Sequence, residues 1–115
     1  MPASVFIAGP ASWNTIVVLD RLPEPVPHMQ FAEETWETVG GTSAGKALSL
    51  TALGRAVDLY ALAGADQDGE RVQAALKASG VRAHWGHGVT ERHLNLMTRG
   101  CQGVALRVDS RGDGR

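Results

Sequence analysis

The sequence predicts an α/β chain: part of a parallel sheet with flanking helices, joined to a small second sheet. Three observations predict it. The short continuous apolar run Val5–Ala8 is followed by glycine, as buried parallel strands often are, and the mainly apolar Val57–Leu62 ends towards Gly64. A helical pattern separates those runs, which gives at least one βαβ unit and a right-handed crossover. Residues 30–39 instead tend to alternate apolar with polar, the signature of a half-exposed strand.

The elements follow in order. Val5–Ala8 forms the first strand and stops at Gly9-Pro10. Thr15–Leu19 is a second β-branched run, and Pro23, Pro25 and Pro27 then exclude regular structure. Gln30–Val39 supplies one or two exposed strands of a lid or edge sheet. After Gly40-Gly41, Thr42 or Ser43 can cap a helix whose apolar residues run from Ala44 to Leu53, with Gly54 at its end. Val57–Leu62 is the next strand. Asp66 caps a second helix that reaches about Ser79, and Gly80 stops it. Val81–Trp85 starts another strand. Glu91–Thr98 and Val104–Val108 then make a hairpin, and residues 110–115 form a frayed polar tail.

Composition limits the function. The 115 residues make one domain at most, 43% hydrophobic and 20% charged, with a formal net charge of -1. No basic surface for nucleic acid is expected. No apolar run nears the roughly 18–20 residues that span a bilayer, and the start lacks a signal-peptide pattern. The lone Cys101 cannot close an internal disulfide, which fits a reducing, cytoplasmic setting. His28, His84 and His87 lack metal-like partners in the sequence, and His84–His87 is expected to be a strand end and turn.

The chemistry centres on residues 40–54. A glycine pair at the mouth of a helix lets backbone amides approach a ligand, with the positive helix end aimed at it. A plain structural turn is the simpler account. Gly40, Gly45 and Lys46 also begin a P-loop pattern, G-x-x-x-x-G-K. The next position needs Ser or Thr to hold magnesium, and Ala47 stands there.

A longer pattern includes the same residues. Gly40-Gly41, Ala47, Leu53-Gly54, Gly64, Asp66, Gly69 and Gly80-Val81 keep the spacing of the first signature of the ribokinase-like (PfkB-type) carbohydrate kinases, which the chain resembles. Upstream, Val5–Gly9 and Val18–Pro23 resemble that family's opening strand and first lid strand. The resemblance implies a Rossmann-like core, about residues 1–12 and 40–85, and a β lid, about 13–39 and 89–109. It implies an enzyme that transfers the γ-phosphate of ATP, with Mg2+, to a hydroxyl of a sugar or polyol. It also implies a homodimer that pairs through the lid.

By that resemblance Gly40, Gly41, Thr42, Gly45 and Lys46 line the acceptor. The family's aspartate on the opening strand corresponds to Asn14, and its asparagine in the glycine block to Gly45. An amide both donates and accepts, whereas a carboxylate only accepts, so the acceptor is expected to be held differently from ribose. On the late strand, Glu91, His93 and Asn95 alternate onto one face, and His93 and Asn95 become candidates. Incidental polarity on an exposed strand explains them equally well, and Gly103–Leu106 resembles the same lid strand. Trp13 could stack on a sugar or sit at a lid hinge. Asp66 and Asp68 read as a helix start, and Glu33 and Glu34 as a solvated edge.

The family's G-A-G-D motif supplies an anion hole and a base. Its nearest echo here is Arg111–Gly114. The chain is therefore expected to be the acceptor-binding part of such a kinase, without the ATP region and inactive by itself. The alternatives are a non-catalytic sugar-binding or interaction module of the same fold, or a piece of a P-loop NTPase.

Overall fold

A computed structural model describes residues 4–100 and 102–108. The expectations for Cys101, for the first three residues and for the tail string Arg111–Gly114 fall outside the described residues.

Two sheets form. The first has the order β1(Val5–Ala8), β4(Val57–Ala63), β5(Arg82–His87), and all its pairings are parallel. The second has the order β3(Glu34–Gly40), β2(Ser12–Leu19), β6(Glu91–Thr98), β7(Gly103–Arg107). In it β2 and β6 run parallel, and the two outer strands pair antiparallel to them.

Helices α1(Thr42–Ala52) and α2(Gln67–Ala78) lead into and out of β4. They cover the same face of the first sheet. Ala44 and Ala47 of α1, Val72 and Leu76 of α2, and Val57, Leu59 and Ala61 of β4 form one buried cluster. Among the described residues nothing covers the sheet's other face, where Phe6 is 69% and Leu62 57% exposed. A parallel sheet is normally covered on both faces; among the described residues this one is covered on one.

The boundaries differ from expectation in instructive ways. Strand β2 starts at Ser12 rather than Thr15, because its first residues pair on both sides, with Gly40–Thr38 and with Glu91–His93. His84–His87 is not a turn. It stays in register with Tyr60–Ala63, so cross-strand pairing outweighs the glycine at position 86. Helix α1 takes Gly41 as its N-cap, with no side-chain cap, in place of Thr42 or Ser43. Its C-cap is Leu53, one residue before Gly54. Asp66 caps α2 as expected, its carboxylate accepting from the Gly69 amide. Among the described residues no helix is long and apolar enough to cross a membrane.

Candidate functional site

The pairing register of the second sheet sorts its side chains onto two faces. Residues opposite one another on neighbouring strands share a face. Asn14 stands opposite Thr38 on one side and His93 on the other, and Ile16 stands opposite Asn95. His93 in turn stands opposite Arg107. Ser12, Asn14, Thr38, Glu91, His93, Asn95 and Arg107 therefore make one polar face.

The opposite face packs on α2. The Arg71 guanidinium lies 6.0 Å from the Trp13 ring centre, and Arg92 Nε reaches Asp68 Oδ2 at 2.9 Å. Trp13 donates its indole N–H to Glu37 at 2.8 Å. Trp13 therefore lies on the side of the sheet away from Asn14.

The polar face is preorganised. Ser12, fully buried, donates to Asn14 Oδ1 at 2.6 Å and fixes the amide plane. That amide lies over Gly40, where any Cβ would collide with it. Glu91 faces two side chains, with Arg107 Nη1 at 3.2 Å and His93 Nε2 at 3.4 Å. Gly41 adopts φ 96°, the left-handed region that favours glycine, and a Cβ there would come within 2.7 Å of the Pro10 carbonyl oxygen. The glycine pair thus brings the mouth of α1 against Pro10-Ala11.

A cavity of about 860 Å3 opens beside those two residues. Gly9, Pro10 and Ala11 line it, with Tyr60, Leu62 and His84 from the bare sheet face, Trp85 from the other side of β5, and Glu91 and Arg107 from the polar face. This lies at the carboxyl ends of the parallel strands, where open α/β sheets bind ligands. None of the sequence-nominated residues is among its lining residues; Gly41 adjoins the lining Pro10 and Ala11, and His93 and Asn95 follow the lining Glu91 along β6.

The nominated residues fall into two groups. Asn14, Gly40, His93 and Asn95 share the polar face, and Gly41 adjoins it. Thr42 and Lys46 are exposed on the first turns of α1. Gly45 is half-buried, and a Cβ added to it would meet open space. The P-loop alternative does not fit, since Ala47, where a magnesium-holding hydroxyl belongs, is fully buried. The preceding strand β3 is exposed over Glu34–Thr38 rather than buried.

Sequence reasoning missed Ser12, Glu91 and Arg107. The alternation that nominated His93 and Asn95 also contained Glu91. Arg107 carried no such signal, because its place depends on the β6–β7 register.

Solved structures share this architecture. No protein-family model matches the sequence, and no curated protein matches it. Among solved structures, the microbiome-derived acarbose kinase Mak1 is 31% identical over 94% of this chain and 37% of its own, with a TM-score of 0.83. Ribokinase from Cryptococcus neoformans var. grubii serotype A, solved with ADP, is 18% identical over 94% of this chain and 34% of its own, with a TM-score of 0.78. Arabidopsis thaliana ribokinase, solved with ribose and ATP, is 19% identical over 94% of this chain and 36% of its own, with a TM-score of 0.70. The chain spans 34–39% of the length of the structures it matches.

Proposed function

This chain has the ribokinase-like carbohydrate-kinase fold, and from that premise we propose that it binds the sugar or polyol acceptor of an ATP-dependent phosphoryl transfer. One observation carries the proposal: Asn14, clamped by Ser12 over Gly40, shares a polar sheet face with His93 and Asn95. Two amides and an imidazole offer both donors and acceptors, which suits hydroxyls that do both.

The acceptor is bulkier than ribose. The open space beside Gly45, where the family carries an asparagine, supports this, as does the similarity to a kinase named for acarbose. The resemblance assigns ATP and Mg2+ to the family, and the P-loop reading gains no support here, because a buried methyl at Ala47 stands where its hydroxyl belongs. The G-A-G-D string is not in the 115 residues. Binding without transfer is therefore the activity we assign to the chain alone.

The lid also offers a pairing surface. Leu94 stands opposite Leu106 and Leu96 opposite Val104, on the face away from Asn14. Leu106 and Val104 are 46% and 45% exposed, an apolar patch suited to a second copy of the chain.

Calorimetric titration of the folded chain with ribose, hexoses, disaccharides and acarbose tests the proposal. Binding of a larger glycoside, with ribose weaker, is expected. A folded chain that binds none of them would overturn it.

A further inference from the structure

Three residues carry the chain from β5 into β6, namely Gly88, Val89 and Thr90. The last of them is 2% exposed. Its hydroxyl accepts from the Gly64 amide at 2.7 Å and donates to Asp66 Oδ1 at 3.0 Å. That same carboxylate oxygen caps α2 by accepting from the Gly69 amide at 2.7 Å. A threonine hydroxyl has one proton to give, and here it is used while a lone pair is also filled.

Asp66 therefore does more than start a helix. It ties the N-terminus of α2 to the root of the second sheet. A second tie lies one strand position beyond Glu91, where Arg92 meets Asp68 at 2.9 Å. Between these two anchors Glu91 turns to the opposite face and lines the cavity. His93 and Asn95 follow at two-residue steps.

We propose that Thr90 is the positioning residue of the lid: its hydroxyl fixes the angle at which β6 leaves the core and so places Glu91 at the cavity and His93 and Asn95 beyond it. This rests on reading the second sheet as a cover for the acceptor. The lever is long. Asn95 lies five residues beyond Thr90, so a tilt of about 10° at the root moves it by about 3 Å at a strand rise of about 3.3 Å per residue. That is enough to break hydrogen bonds to a bound hydroxyl.

The test compares Thr90→Val, which keeps the shape and removes the hydroxyl, with Thr90→Ser, which restores it. Hydrogen exchange is followed residue by residue in the ligand-free chain, so the outcome does not depend on any sugar being bound. Amides of β2 and β6 are expected to exchange about tenfold faster in Thr90→Val, with β1 and β4 unchanged and Thr90→Ser close to the parent. Acceleration spread evenly over core and lid, or none, would overturn the proposal. If Thr90→Val does not fold, Arg92→Gln decides by the same criterion: faster exchange confined to the second sheet supports it, and an even or absent change sinks it. Should the sugar titration fail while this pattern holds, the function is wrong and the latch stands.

Discussion

The side-chain amide of Asn14 lies against the bare Cα of Gly40 on the neighbouring strand, with its oxygen already taken by Ser12. The glycine at position 40 is thus explained by a side chain, not by its own backbone torsion. Only the absence of a Cβ lets the amide sit there. Gly40→Ala is expected to push Asn14 off this position and weaken acceptor binding about tenfold, the worth of one or two hydrogen bonds. Titration beside a melting curve checks it, and an unchanged affinity would show that Asn14 does not touch the acceptor.

Which face of the second sheet meets the acceptor can be decided by substituting both. Asn14→Ala, His93→Ala and Asn95→Ala, all on the polar face, should each weaken binding by roughly threefold to tenfold. Trp13→Phe should leave binding alone and lower stability by about 1 kcal/mol, because the indole holds Glu37 and lies under Arg71. A sugar affinity that fell only with Trp13→Phe would reverse the assignment of faces.

Much of this was legible in the sequence, for reasons that differ by element. Val57–Leu62 and the Asp66 cap were plain, since burial on one side and a carboxylate before a helix are local signals. Residues 84–87 were misread because Gly86 looks like a turn until Leu62 is seen opposite it. Alternation put Glu91, His93 and Asn95 together, but could not tell that Asn14 stands opposite His93 seventy-nine residues away. Nor could Asp66 and Asp68 be seen to hold the lid, because Thr90 and Arg92 reach them only through the tertiary fold. Pairwise register across the crossover is what the linear pattern lacks.

The glycines of the 40–45 block should respond in opposite directions. Gly41→Ala forces a side chain into φ 96° and against the Pro10 carbonyl, which should cost about 1–3 kcal/mol. Gly45→Ala places a methyl in open space within α1 and should stabilise the chain by about 0.5–1 kcal/mol. Urea unfolding of both variants measures the pair. Gly45→Asn, which rebuilds the family's residue, should narrow the site and shift preference toward smaller acceptors. Equal destabilisation by both alanines would mean that α1 starts elsewhere.

Acid stability should depend on Asp58. On the bare face of the first sheet its carboxylate accepts from His84 Nε2 at 2.9 Å and from the Arg82 guanidinium at 2.8 and 3.1 Å. The His84 bond first, then Arg82, hold its pKa below the ordinary value. A carboxyl whose pKa is lower in the folded state than in the unfolded chain stabilises the fold at pH above the unfolded value, about 3.9. That contribution disappears as pH falls through the folded value. The parent chain should therefore lose stability in urea below about pH 4, and Asp58→Asn should be less stable at neutral pH yet show a flatter acid limb. Parallel acid limbs in the two proteins would mean that the carboxylate is solvated in solution and that Arg82 and His84 do not hold it.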